Sequence, residues 1–486
     1  MRTLPEVAVI GPRRLTAGLD RLHRLDLRTH NEVHGALRPL SLDNLADLAE
    51  LIELRGRGGA GFPFARKLRA VVASARRTGA GTVVVVNATE GEPASWKDKM
   101  LLARAPQLIL DGAALAAYAL RATEIVIGVA DDGVSSRSVL AALAERSMPA
   151  ATQVVAVPHR FISGEGGALV RGINGEVPIP PGRKTRASDS GVRGLPTLLS
   201  NAETYAQLAM AARLGPDGYS RLGTAAEPGT VLLTVGGAVA TPYVVEVPLG
   251  TPLADVLDLC GVRAGPGVLV GGFHGKWITT RAARSAQVSR EGLAAVGGVL
   301  GAGIILPLSA DTCALGEAAR IVQYLAGESA GQCGPCRMGL PDVARALTSL
   351  TVGGGAAARD TVRLAAGAVR GRGACSHPDG TSRFAVSALE TFADDLAAHL
   401  DGDGCGNPVK GILPIPGDDA TGGRLTVDWT RCDGHGLCAH VVPELIRLDA
   451  NGFPAFPDTA VPPWLRPGAR KAVAMCPALA LRLSKN

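Results

Sequence analysis

Thr82-Val-Val-Val-Val86 runs directly into Asn87-Ala-Thr-Glu-Gly-Glu-Pro93. A β-branched run that ends in a polar, Gly- and Pro-containing turn reads as a strand buried on both faces. Glu124–Val129 and Gln153–Val157 repeat the pattern, with Ala-rich helical stretches (Ala105–Leu120, Ser136–Arg146) between them. Strands alternating with helices predict an α/β fold with a parallel sheet. Ligands in such sheets sit beyond the carboxyl ends of the strands, so loops 87–93 and 163–167 are the ones to examine.

Upstream, Leu45, Leu48, Leu51 and Ile52 give the stretch Leu42–Leu54 helical spacing. It leads into Gly56-Arg-Gly58-Gly-Ala-Gly61, a G-x-G-x-x-G string. The dinucleotide fingerprint requires a strand before it, and here a helix precedes it. The glycines still let backbone N–H groups surround a phosphate, while a plain tight turn explains them equally well. Downstream the texture changes. Thr230–Gly236, Tyr243–Val247 and Val268–Val270 read as short strands around a helix at Leu253–Cys260, which makes residues 229–310 a small α+β domain. Cys313–Leu325, Leu340–Leu350, Thr361–Val369 and Ser387–Leu400 predict a helical bundle over residues 311–400. Residues 401–423 are rich in Gly, Asp and Pro and read as a linker. Residues 424–486 form a separate tail, and residues 1–228 hold the parallel sheet.

The net charge of +6 is dilute over 486 residues, with no Lys/Arg block carrying interleaved aromatics, which argues against nucleic acid. The short apolar run Val7–Ile10 is no signal-peptide core, and no apolar stretch reaches the ~20 residues of a membrane span. A cytoplasmic protein without direct membrane insertion is expected.

Six of the nine cysteines fall into two groups. One is Cys333-Gly-Pro-Cys336 with Cys375. The other is Cys432-Asp-Gly-His435-Gly-Leu-Cys438 with Cys476-Pro477. Grouped cysteines in an odd total point to metal binding in a reducing cytosol, not to a disulfide framework. Thiolates are the soft anionic ligands that iron–sulfur clusters require. The second group has the spacing of a small ferredoxin, with His435 where a second Cys is usual. It resembles the [3Fe–4S] ferredoxins, an α+β fold. Cys260, Cys313 and Cys405 have no ligand spacing and read as structural.

Four ordered blocks extend the resemblance over about residues 30–400. They are Arg55-Gly-Arg-Gly-Gly-Ala-Gly-Phe-Pro63 with Lys67, Asn87–Pro93 with Lys97-Asp98, Gly164-Glu165-Gly-Gly-Ala-Leu169, and Gly194-Leu-Pro-Thr197 with Asn201-Ala-Glu-Thr204. They resemble the FMN- and NADH-binding subunit of respiratory complex I and of related hydrogenases and formate dehydrogenases. The resemblance implies a Rossmann-like FMN domain, a β-grasp-like domain, a helical iron–sulfur domain and then the ferredoxin. It implies that Gly56, Arg57, Gly58, Gly59, Gly61, Phe62 and Lys67 surround FMN, with Asn87, Glu90, Gly164, Glu165, Asn201 and Thr204 at its polar edge. Glu90, Glu92 and Glu165 are then the candidate catalytic carboxylates. Cys333, Cys336 and Cys375 would hold one cluster, and Cys432, His435, Cys438 and Cys476 another.

The chain also departs from the family. Thr89 and Gly166 stand at carboxylate positions, and Leu68 follows Lys67 where an aromatic is usual. Ala330 stands where the first cluster's leading Cys is expected, which leaves a three-iron cluster, a four-iron cluster with a non-Cys ligand such as His377, or a degenerate site. The expected activity is an iron–sulfur flavoprotein oxidoreductase. Its donor is NAD(P)H or another small molecule, its acceptor a redox partner protein, and a homo-oligomer is compatible with it; the alternatives are FMN-dependent oxidation or reduction of a small organic substrate in a repurposed NADH pocket, and a relay subunit of a larger redox complex.

Overall fold

The computed structural model describes residues 4–182, 185–263, 265–401, 404–416, 425–443, 445–455, 461 and 466–483. The chain divides into two compact units, Met1–Leu413 and Pro414–Asn486.

Among its described residues the first unit has ten strands: β1 (Glu6–Val9), β2 (Val83–Ala88), β3 (Glu124–Ala130), β4 (Ala151–Val157), β5 (Thr197–Asn201), β6 (Thr230–Val235), β7 (Tyr243–Pro248), β8 (Gly267–Val270), β9 (Lys276–Thr279) and β10 (Ile304–Pro307). The parallel α/β fold expected from Thr82–Val86 is present. Its order is β4-β3-β2-β5, every pair parallel, and Val83 to Val86 are fully buried because helices and loops cover both faces. The register sets Asn87 beside Asn201, so two candidate site residues share the carboxyl end of the sheet. Helices Pro106–Leu120 and Ala202–Ser220 pack closely on one face. A Cβ at Gly112 would stand 1.9 Å from the Tyr205 carbonyl oxygen, so only glycine permits that approach.

The second sheet runs β1-β7-β6-β10-β8-β9. Omitting β1, this is a β-grasp order: hairpin β6–β7, an intervening helix at Leu253–Leu259, and β10 returning parallel to β6. The N-terminal run Val7–Ile10 contributes β1, parallel to β7, so the sheet of the expected 229–310 domain draws a strand from residues 6–9. The Glu246 carboxylate secures this crossing, accepting from the backbone N–H of Arg14, Leu15 and Thr16 and from the hydroxyls of Thr16 and Thr230.

Helices Ala314–Gly327, Leu340–Thr351, Gly355–Val369, His377–Thr391 and Ala393–Leu400 form the bundle. The single helix expected at Ser387–Leu400 is two, broken at Phe392 (φ −103°, ψ 53°), whose ring is buried beside Trp277. The start of the expected linker is also structured. Backbone N–H groups of Gly411, Ile412 and Leu413 donate to buried Glu317, and Cys313 N–H donates to the Pro408 carbonyl. Residues 402, 403 and 417–423 of that linker lie outside the described residues.

In the second unit, Leu425–Val427 pairs with Leu481–Leu483 and Arg447–Leu448 with Pro454–Ala455, with helices Leu437–Val441 and Arg466–Met475. Leu425, Val442, Ile446, Ala469, Ala472 and Leu481 form its core. Among the described residues no single helix is long and apolar enough to cross a membrane. Lys97–Arg104 and Pro106–Leu120 pass that test only jointly, across a 95° bend, and both are largely buried.

Candidate functional site

The Gly-rich loop is closed at its base by an Arg55–Pro63 bridge and by Gly56 N–H donating to the Phe62 carbonyl at 3.0 Å. Gly59 has φ +112° and nothing within 4 Å of the place a Cβ would take, so its backbone faces open space. Gly58 lies against Asn201, and Gly61 against the Arg290 guanidinium. Phe62 is 50% exposed. Arg57, expected at the cofactor, turns inward: it is 5% exposed, its guanidinium donates to the Thr230 carbonyl, and its N–H donates to the Thr204 hydroxyl. Arg57 and Thr204 thus hold the loop onto the fold.

Lys67 lies in the first turns of helix Phe64–Thr78, and its Nζ donates to the Leu199 carbonyl at 2.7 Å. No carboxylate pairs with it among the described residues. Burial lowers its pKa to about 8. A partly buried ammonium with only a carbonyl partner fits an incoming anion such as a flavin phosphate.

Asn87, at the end of β2, donates to the Gly164 carbonyl and accepts from the Thr89 hydroxyl. Asn201 caps helix Ala202–Ser220, donates to Asp98 at 2.6 Å and accepts from Lys97 at 3.2 Å. Lys97 is buried. Desolvation acts to lower its pKa, but Asp98, Glu203 and Glu90 outweigh it and hold the ammonium charged.

The three candidate catalytic carboxylates are not equivalent. Glu90, at φ +38°, accepts from the Ser95 hydroxyl and from the N–H groups of Asp98 and Lys99, so it caps helix Lys97–Arg104. Burial, then Asp98, raises its pKa. Glu165 is the N-cap of helix Gly166–Ile173, accepting from Ala168 N–H. Among the described residues Glu92 accepts only from Phe273 N–H, at 3.2 and 3.3 Å. Part of the residue is exposed, yet its carboxyl lies deep, and burial pushes its pKa up to about 8.

The first cysteine group lies against these loops. Gln332 donates to the Pro180 carbonyl, and Glu328 accepts from Phe161 N–H. Cys333 and Cys336 flank the start of a single π-turn, Pro335–Gly339. Cys336 is buried, and burial, then Cys333 and more weakly Cys375, pushes its thiol up to about 12. The three sulfurs therefore share one neighbourhood, a set that suits an iron–sulfur cluster. His377 does not join them as a fourth ligand. Its Nε2 is 2.8 Å from the Leu325 carbonyl, which fixes the proton there, and its Nδ1 faces His274 Nε2 at 3.1 Å, leaving no lone pair for iron.

In the second unit Cys432, His435, Cys438 and Cys476 line one small cavity. Cys476 Sγ accepts from Ala480 N–H at 3.4 Å, the kind of contact that tunes a cluster thiolate. Sequence spacing missed one constellation. Cys313, Asp395, His399 and Cys405 converge with their ligand atoms within 4.8 Å of one another. Its members are 92 positions apart at the extremes, and although Asp395, His399 and Cys405 lie close in sequence, Cys313 stands 82 positions before the first of them.

Four family models match: the Nuo51 FMN-binding domain at residues 50–210, the SLBB domain at 232–267, the NADH-ubiquinone oxidoreductase-F iron-sulfur binding region at 316–399, and the 4Fe-4S single cluster domain at 425–483. An NADH-quinone oxidoreductase subunit of Streptomyces coelicolor is 29% identical over 399 residues, 78% of this chain and 88% of that protein. The NADP-reducing hydrogenase subunit HndC of Solidesulfovibrio fructosivorans is 26% identical over 419 residues, 82% and 83% of the two chains. The air-oxidised NAD+-reducing [NiFe]-hydrogenase matches in fold, with TM-score 0.69 over 82% of this chain and 68% of that chain at 24% identity. The chain is an iron–sulfur flavoprotein oxidoreductase that carries the matched FMN-binding and iron–sulfur regions followed by a 4Fe-4S single cluster domain, and it is similar to these oxidoreductase and hydrogenase subunits.

Proposed function

We propose that the chain is an NAD(P)H-dependent reductase of the cytosol that delivers electrons through its ferredoxin domain to a redox partner protein. One observation carries this reading: the Cys333 loop is tied by Gln332 and Glu328 directly to the loops beyond the carboxyl ends of the first sheet. FMN, when bound, supplies the exchange between hydride transfer and single-electron steps. Gly56, Gly58, Gly59, Gly61 and Lys67 would hold its phosphate end. Asn87, Gly164, Glu165 and Asn201 would offer hydrogen bonds to its polar edge, and Phe62 would stack on a flat ring of the donor. Glu92 is the carboxyl suited to holding a proton, because burial keeps it largely uncharged near neutral pH. Glu90 and Glu165 would position the loops through the helices they cap. Cys333, Cys336 and Cys375 would bind the first cluster. Cys432, Cys438 and Cys476 would bind a [3Fe–4S] cluster, with His435 beside it.

Thr89 and Gly166 support a second reading, in which a small organic substrate replaces the dinucleotide. A Cβ at Gly166 would make only ordinary contact with Leu199 at 3.4 Å, so the room left by the missing side chain is available. Anaerobic stopped-flow absorbance with NADH and with NADPH separates the two. Rapid flavin bleaching followed by cluster reduction is expected. No bleaching with either, while dithionite reduces every centre, overturns the dinucleotide reading. Lys67→Ala should lower bound FMN at least tenfold and leave the tail cluster's iron in place; unchanged FMN removes Lys67 from the site.

A further inference from the structure

We propose that Cys313, Asp395, His399 and Cys405 form a structural zinc site that pins the segment leaving the helical bundle to the start of helix Ala314–Gly327. The donor set is two sulfurs, one imidazole and one carboxylate, the mixture that zinc takes in closed four-coordinate sites. Zinc–ligand bonds of about 2.0–2.3 Å place tetrahedral ligands roughly 3.3–3.8 Å apart. Cys313 Sγ lies 3.3 Å from His399 Nε2 and 3.9 Å from Asp395 Oδ2. All four ligand atoms lie within 4.8 Å of one another, too close to surround an iron–sulfur cube.

The surroundings fit a cation. Cys313 and His399 are buried, and Asp395 and Cys405 are partly so. Gly316 N–H donates to Cys313 Sγ at 3.1 Å, and Leu315 N–H donates to Asp395 Oδ2 at 2.8 Å, which orients two ligands through the first turn of one helix. Each ligand comes from a junction: Cys313 opens the first bundle helix, Asp395 and His399 lie on the last, and Cys405 begins the segment whose residues 408–413 bond back to Thr312, Cys313 and Glu317. The site would therefore fix where the chain departs toward residue 414. It shares no residue with either cluster group and takes no part in electron flow, because zinc has no redox chemistry.

The test uses the purified full-length holoprotein from cells grown with iron and zinc. Elemental analysis should find about one zinc per chain beside the cluster iron, and zinc-edge X-ray absorption should show two sulfur and two nitrogen or oxygen neighbours at about 2.3 and 2.0 Å. His399→Ala and Cys405→Ser should each lower zinc at least fivefold while flavin and iron stay constant. Absence of zinc, a shell of three or four sulfurs (zinc misplaced in the cluster sites), or full zinc retention in both variants overturns the proposal. The absorption spectrum of the unaltered protein decides even if a variant does not fold.

Discussion

A side chain's work here depends on which backbone groups it meets. Glu90, Glu92 and Glu165 are all recognisable in the sequence as polar residues of site loops. Two are caps, Glu90 for the helix that begins at Lys97 and Glu165 for the helix that begins at Gly166, whereas Glu92 caps no helix among the described residues and its carboxyl accepts from Phe273 N–H. Its pKa, raised by burial from 4.5 to about 8, has a consequence for stability. The unfolded chain ionises first, so the folded state binds more protons between those values. Stability from this group is full below pH 4.5 and is lost as pH rises through 8. Glu92→Gln keeps the shape and the acceptor for Phe273 N–H without the charge. Its unfolding free energy, measured anaerobically with flavin content matched, should rise relative to the parent protein from pH 5.5 to 8.5, by roughly 2 kcal/mol in total after allowance for residual solvent contact. A difference that stays flat with pH would show that Glu92 titrates normally. His377 shows the reverse case. Its place two residues after Cys375 made it a plausible ligand, but its orientation is set by His274 and Leu325, 103 and 52 positions away, which local spacing does not reveal.

Strands and helices with strong periodicity were legible. Val83–Val86 reads as a buried strand because nothing else accommodates four successive β-branched residues between a helix and a polar turn. Four short strands were not legible: β1, β5, β9 and β10 have four or five residues each, too few to show a period, and the partners of β1 and β5 lie far away in sequence. The helix break at Phe392 was hidden for the same reason, since the ring is drawn out of register by Trp277. Glycines at helix contacts are where an element-level prediction is sharpest. Gly112→Ala drives a Cβ into the Tyr205 carbonyl, against backbone that cannot swing aside, and should cost about 3 kcal/mol or more. Gly367, inside helix Gly355–Val369, has nothing within 4 Å of its would-be Cβ. Gly367→Ala should therefore stabilise by about 0.5–1 kcal/mol. Chemical denaturation of the two variants should move the midpoint in opposite directions, and a Gly112→Ala midpoint equal to the parent's would mean the two helices are not held in close contact.

At the scale of the whole chain, composition marked residues 401–423 as a linker, but the first part of that stretch is bound to the unit before it. Fully buried Glu317 accepts from Thr312, Gly411, Ile412 and Leu413 and pairs with Arg320 at 2.6 Å, while Arg320 also reaches the Leu413 carbonyl. A Gly/Pro-rich string reads as a spacer because it builds no element of its own, yet its backbone N–H groups are what a buried carboxylate needs. The folding boundary of the flavin-containing unit thus lies after Leu413, not after Leu400. Two truncations expose the difference. A chain ending at Leu413 should keep FMN and the first cluster and lose the tail cluster's iron. A chain ending at Leu400 loses three N–H donors to a buried carboxylate as well as Cys405, and should be less stable by about 3 kcal/mol or more, with a lower melting temperature and poorer FMN retention. Equal melting temperatures for the two would assign residues 401–413 to the linker after all. A shorter chain that regains its stability on Glu317→Gln would instead identify the uncompensated carboxylate as the main cost.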